Sequence, residues 1–146
     1  MDPVTQAGTP KITIILPVYN VAEFLPRCLA SIDRQTFRDF CVIAVNDGST
    51  DNSPQILRAF AESHPYCTVV DQENRGLAQA RNRGLSLAKS PYVSFIDSDD
   101  FIAPTFLQEL YDACVQNDAD IACCFQYYYY AESKRRVQHP FRCSGV

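Results

Sequence analysis

Nowhere in the 146 residues does an apolar run approach the roughly 18 positions that a membrane span requires. Residues 1–10 also lack the charged-then-apolar pattern of a secretion signal. Lys and Arg number 13 against 17 Asp and Glu, a formal net charge of −4, so there is no basic excess to follow a nucleic-acid backbone. A single small polyanionic ligand is still compatible with that balance. The two histidines, His64 and His139, have no partner at a metal-ligand spacing and read as surface or structural residues. Cysteine is plentiful, but seven is odd, and Cys28, Cys41, Cys67 and Cys114 lie in apolar runs where a free thiol behaves as a small hydrophobe. Cys123 and Cys124 are adjacent, and on a strand they would face opposite ways, which is not a zinc spacing. These absences leave a soluble, cytoplasmic protein with no disulfide framework, no nucleic-acid partner and no membrane span.

With 47% hydrophobic and 21% charged residues, the chain has the composition of one α/β domain with a real core. We expect that domain over residues 11–146, with residues 1–10 as a disordered leader. Runs at 12–16, 41–45, 67–70 and 92–96 are nearly continuously apolar, as strands covered on both faces should be. Between them, Phe24, Leu25, Cys28, Leu29 and Ile32 recur at helical spacing, as do Phe106, Leu107, Leu110, Tyr111 and Cys114 in a helix starting near Pro104. Ser53 before Pro54 reads as a cap opening a helix through about Ser63. Alternating strands and helices predict right-handed βαβ units and a mainly parallel sheet with helices on both faces.

In such a sheet ligands bind beyond the carboxyl ends of the strands. The unusual polar residues of this chain fall there. Pro17, Val18, Tyr19 and Asn20 follow the first strand, residues 46–51 the second, and Asp97, Ser98, Asp99 and Asp100 the fourth. The last four are either a polar turn or a cation site, because neighbouring carboxylates repel one another unless a cation or a set of donors offsets the charge. Asp47, before Gly48, is either a turn residue bonding local amides or, with Ser53 serving as the cap, a free acceptor for a ligand N–H. Tyr19 is either packed or a face for a planar ring, and Pro17 stiffens its turn. Along the third helix, Leu77, Ala80, Gly84 and Leu87 mark an apolar stripe. Arg81 borders that stripe, so it needs an anion: Asp97, a ligand phosphate, or a partner on its own helix. Gly76 and Gly84 suggest a close approach by another backbone or a ligand.

The order Pro17-Val18-Tyr19-Asn20, then Asn46-Asp47-Gly48-Ser49-Thr50-Asp51, then Asn74 through Gly84, then Asp97-Ser98-Asp99-Asp100 resembles the family 2 glycosyltransferases over about residues 11–125. The resemblance implies the Rossmann-like GT-A nucleotide-diphospho-sugar transferase fold. It also implies inverting transfer of a sugar from a nucleotide-diphosphate donor, usually a UDP-sugar, to a saccharide or other hydroxyl acceptor, in surface polysaccharide or cell-wall glycan synthesis. It assigns Pro17, Tyr19, Asp47, Asn74 and Arg81 to the nucleoside. Asp97 is assigned to ribose or metal and Asp99 to Mn²⁺ or Mg²⁺. The catalytic base of the family is an acidic residue well downstream of the Asp-x-Asp motif, and the chain runs only about 45 residues past it. Glu109 and Asp112 read as solvated helix face, so the base is expected beyond Val146 and the chain as the nucleotide-binding portion of a longer enzyme.

Four successive tyrosines from Tyr127, followed by Lys134, Arg135 and Arg136, read as a hairpin whose exposed edge offers a homodimer contact. A basic patch for an acceptor or a membrane's inner face is the other reading. Two rival functions stand. One is a non-catalytic nucleotide-sugar binder. The other is a haloacid-dehalogenase-type phosphatase, which places paired Asp on an early strand with Thr or Val where this chain has Phe101.

Overall fold

A computed structural model describes residues 8–124, 126–130 and 132–138. Most of the expected leader, residues 1–7, and His139 lie outside the described residues. By its internal contacts the chain separates into two compact units, one running to Phe106 and the other starting at Leu107.

The first unit alternates strand and helix: β1 (Ile12–Val18), α1 (Leu25–Asp33), β2 (Phe40–Asp47), α2 (Ser53–Ser63), β3 (Cys67–Gln72), α3 (Leu77–Leu87) and β4 (Tyr92–Phe95). All four strands are parallel in the order β3-β2-β1-β4, with Ile12 opposite both Phe40 and Tyr92. The chain steps from β1 to β2 to β3 in one direction and then returns across the sheet to place β4 on the far side of β1. Right-handed crossovers put α1 and α2 on one face and α3 on the other. β1 is buried on both faces, as its unbroken apolar run predicts: Ile14, Ile15 and Leu16 are fully inaccessible. Each such side chain stabilises the fold by about 1.5–3 kcal/mol relative to exposure.

The stripe expected on α3 is only half right. Ala80 and Gly84 are buried, and Ala80 packs with Ile43 and Val45, but Leu77 and Leu87 at the ends of the stripe are exposed. The smallest residues make the contact, so the helix lies unusually close to the sheet. A Cβ on Gly84 would stand 2.5 Å from Ile15 Cγ2. Gly76 differs from expectation, with open space around its missing side chain; it is glycine because its backbone takes φ 86°. The helix cap differs too. Asn52, not Ser53, occupies the N-cap of α2, and the Ser53 N–H is taken by Asp51 Oδ1 at 2.9 Å. His64 is structural, stacked on Phe60 at 3.9 Å between ring centres with Asp33 3.4 Å from Nε2.

α4 (Phe106–Asn117), which belongs to the second unit from Leu107 onward, starts two residues after Pro104 and buries Leu107 and Cys114. It ends where Asp118 takes φ 49° and the Ala119 N–H reaches back to the Cys114 carbonyl at 2.9 Å, a helix-terminating turn. Cys123 and Cys124 are exposed and lie in irregular chain rather than on a strand. The expected hairpin is present as β5 (Tyr127–Tyr130) and β6 (Arg135–Gln138), antiparallel, with Tyr130 opposite Arg135. No helix among the described residues is long and apolar enough to cross a membrane.

The close seat of α3 gives a first prediction. Gly84→Ala forces a methyl against the stiff, β-branched Ile15, and overpacking of this kind costs about 1–3 kcal/mol. That exceeds the gain of up to about 1 kcal/mol expected from Ala over Gly inside a helix. Urea denaturation should give a lower midpoint for the variant, and an equal or higher midpoint would show that the helix is not held this tightly.

Candidate functional site

Because β2 lies on one side of β1 and β4 on the other, the chain's connections diverge to opposite faces at the carboxyl end of β1, and a crevice opens there. Polar side chains fasten its walls. The Asn20 N–H donates to Ser49 Oγ at 3.1 Å, and Asn20 Oδ1 accepts from the Thr50 N–H at 2.8 Å. Val21 N–H donates to Ser53 Oγ at 3.1 Å and Ala22 N–H to Asp51 Oδ2 at 2.9 Å. The loops after β1 and β2 are thus stapled by Asn20, Ser49, Asp51 and Ser53. These residues, the first three of them from the quoted motifs, shape the rim. Some loss of hydration pushes the Asp51 carboxyl upward, but the N–H groups of Ala22 and Ser53 and the Ser53 hydroxyl hold it below the usual range.

Asp47 does not carry the free carboxylate expected of it. Only 3% exposed, it accepts Gln72 Nε2–H at 2.7 Å and Arg75 N–H at 2.9 Å on Oδ1, and Gly76 N–H at 2.8 Å on Oδ2. The local-amide reading is also wrong, since these donors lie 25 to 29 residues away. The carboxylate clamps the loop entering α3 onto the end of β2. Gly48, at φ 71°, lets the two segments meet: a Cβ there would stand 2.7 Å from the Asn74 backbone nitrogen. A carboxylate has about four acceptor positions, so one on Oδ2 is left.

Pro17, Tyr19, Asp47, Asn74, Leu77, Asp97 and Asp99 line one cavity of about 380 Å³, a size within the range of roughly 300–1,000 Å³ typical of small-molecule sites. Tyr19 is 47% exposed. Arg81 does not line the cavity; its Nη2 donates to Asp97 Oδ1 at 2.6 Å, the first of the anions its sequence position called for. Arg81 Nε is buried with no acceptor among the described residues, an arrangement that costs about 1–3 kcal/mol. Below the tetrad, the Cys28 thiol points at the Asp97 carbonyl oxygen at 3.8 Å, and burial together with the charges of Asp100, Asp99 and Asp97 pushes it up to about 12. Neither Cys28 nor Gln72 carried a motif that marked it for this role.

The carboxylates fit a divalent cation. Asp99 is exposed and has no hydrogen-bond partner among the described residues. The Asp100 carboxyl is held above its usual range by partial loss of hydration and then by the charges of Asp99 and Asp97, which outweigh Arg27. That repulsion is what a cation relieves. Among the described residues no three carboxylate, His or Cys side chains converge on a metal position. One or two protein carboxylates plus ligand phosphates is the usual arrangement for Mg²⁺ in phosphate sites.

A family model for glycosyl transferase family 2 matches residues 13–144. The chain belongs to that family. Glycosyltransferase GlyA of Streptococcus pneumoniae is 45% identical over 124 residues, which cover 85% of this chain and 18% of GlyA. The crystal structure of Staphylococcus aureus TarS residues 1–349 in complex with UDP aligns with a TM-score of 0.67 at 31% identity, covering 73% of this chain and 32% of that one. The mannosyltransferase PcManGT from Pyrobaculum calidifontis, in complex with GDP-Man and Mn²⁺, aligns with a TM-score of 0.61 at 34% identity, covering 66% of this chain and 30% of that one. This family 2 chain therefore spans less than a third of each of the three, and its α/β architecture is the GT-A one. Family 2 membership also sets aside the phosphatase alternative, whose paired Asp would sit on an early strand rather than after β4.

Asp51 supplies a pH prediction. Its carboxyl is depressed in the folded state, so its stabilising effect is complete above the unfolded value of about 3.9. That effect is lost as pH falls through the folded value. Between pH 5 and pH 3 the urea midpoint of the wild type should therefore fall further than that of Asp51→Asn; equal falls would mean that the staple contributes nothing.

Proposed function

We propose that the cavity binds the nucleotide of a UDP-sugar and that the whole protein transfers the sugar, with inversion, to a hydroxyl of a saccharide or other acceptor in surface polysaccharide or cell-wall glycan synthesis. The observation that carries this reading is that Asp47 and Asp99, on the carboxyl ends of different strands, open onto one hollow with Tyr19 and Asn74 on its wall. The bound nucleotides named for TarS and PcManGT, and the Mn²⁺ named for PcManGT, support it. The reading sets the protein in the cytoplasm.

Tyr19 offers a ring face for the base, and Pro17 stiffens the turn that presents it. Asp47 holds the loop bearing Asn74 in place, and its remaining Oδ2 position accepts a base N–H. Asp97 faces the ribose or the cation, and Asp99 holds the cation. When bound, Mn²⁺ or Mg²⁺ supplies a Lewis acid that offsets the charge of the diphosphate. In the transfer itself the acceptor oxygen attacks the anomeric carbon from the side opposite the diphosphate. The bond from that carbon to the phosphate oxygen breaks, its electron pair leaves with the diphosphate, and the hydroxyl proton passes to an acidic base downstream of the tetrad.

Isothermal titration tests the donor half of this proposal. UDP should bind in the presence of Mn²⁺ and much more weakly without it. Asp99→Asn should lower the metal-dependent affinity by roughly tenfold or more, since a metal–phosphate contact is worth several kcal/mol. UDP binding that ignores both the metal and Asp99 would contradict the assignment.

A further inference from the structure

Arg81 is the one residue that the sequence pattern assigned to the nucleotide and the cavity does not include. Its guanidinium contacts Asp97, a residue that does line the cavity. The main chain of Asp97 is already fixed, with its carbonyl oxygen accepting from the Asp100 N–H at 3.0 Å and facing the Cys28 thiol at 3.8 Å. What remains free is the rotation of the carboxylate, and the 2.6 Å contact from Arg81 Nη2 to Oδ1 removes that freedom. Oδ2 has no partner among the described residues. Arg81 itself rises from the part of α3 pinned to the sheet, between the buried Ala80 and Gly84.

The pair is not built for stability alone. A two-pronged Arg–carboxylate contact would engage two N–H groups with two oxygens. Here one N–H meets one oxygen, while Nε stays buried without an acceptor among the described residues. The second carboxylate oxygen is thereby left unengaged by Arg81.

We propose that Arg81 is a positioning residue: by holding Asp97 Oδ1 it aims the other oxygen into the cavity and so sets the affinity for a nucleoside diphosphate together with its cation. This inference rests on the donor-site reading above. A purely electrostatic role differs in its indifference to Asp97, since the Arg81 charge would then act on cation and diphosphate whether or not that carboxylate is present. Arg81 cancels one negative charge beside Asp97, Asp99 and Asp100, so its removal would strengthen cation binding if charge alone mattered.

The test uses the full chain and two probes, MnCl₂ alone and UDP at saturating Mn²⁺, with GDP as a second nucleotide. Arg81→Ala should weaken UDP binding by roughly 10- to 100-fold, the usual loss when a residue orienting a metal-site group is removed, while Mn²⁺ alone binds no more weakly than to the wild type. In an Asp97→Ala background the same substitution should cost nothing further, because its effect runs through that carboxylate and alanine leaves Arg81 no oxygen to hold. Arg81→Lys, which keeps the charge without the planar fork, should fall between wild type and Arg81→Ala, and it carries the test if the alanine variant does not fold. UDP affinity unchanged in both Arg81 variants, or lost equally with and without the Asp97 carboxylate, overturns the inference while leaving the donor site standing. Wild-type protein that binds neither UDP nor GDP with Mn²⁺ overturns the donor site and this inference with it.

Discussion

The distance between α3 and β1 is set by the missing side chain of Gly84, whose Cβ would lie 2.5 Å from Ile15 Cγ2. Two connections at the cavity depend on that separation. One is the Asp47 clamp on the Arg75 and Gly76 amides, which fixes where α3 begins. The other is the reach of Arg81 to Asp97 one turn further along. A helix packed through leucines would stand farther from the sheet, and neither carboxylate would meet its donors. A packing constraint on the buried face of one helix thus becomes the geometry of a polar site at the end of the sheet.

The site also divides its acidic residues by task. Asp51 and Asp47 each accept several N–H donors and hold loops, with one Oδ2 position of Asp47 left over, and donors of this kind keep the Asp51 carboxyl ionised. Among the described residues Asp99 and Asp100 have no such donors, and loss of hydration followed by the charges of Asp99 and Asp97 raises the Asp100 carboxyl. Charge is offset by N–H donors where loops are held and left without them at the tetrad, where the proposed cation would bind. Asp97 stands between the two groups, one oxygen held by Arg81 and the other open.

The parallel order, the strand positions and the gathering of polar residues on one rim were legible in the sequence, because continuous apolar runs and the alternation with helices admit few other arrangements. The tasks of individual residues were less so. Ser53 looked like a helix cap, but its hydroxyl accepts the Val21 N–H from another loop. Asp47 looked available to a ligand, but its partners are the last residue of β3 and the loop that follows it, and local spacing cannot reveal contacts of that range. Leu77 and Leu87 looked like packing residues because periodicity ranks a leucine above a glycine, whereas close helix–sheet contact needs the reverse. Arg81 was readable as a cation requiring an anion, but only the fold shows that the anion is Asp97 and that the guanidinium stays outside the cavity.

The central claim is that the tetrad after β4 and the ends of β1 and β2 serve one ligand. Paramagnetic broadening of backbone NMR signals by Mn²⁺ in the presence of UDP examines it most directly. The account predicts broadening centred on Asp97 to Asp100, together with UDP-dependent shifts at Tyr19, Asn74 and Gly76. Broadening centred on the hairpin of β5 and β6, or shifts at Tyr19 and Asn74 that appear without any effect at the tetrad, would contradict it.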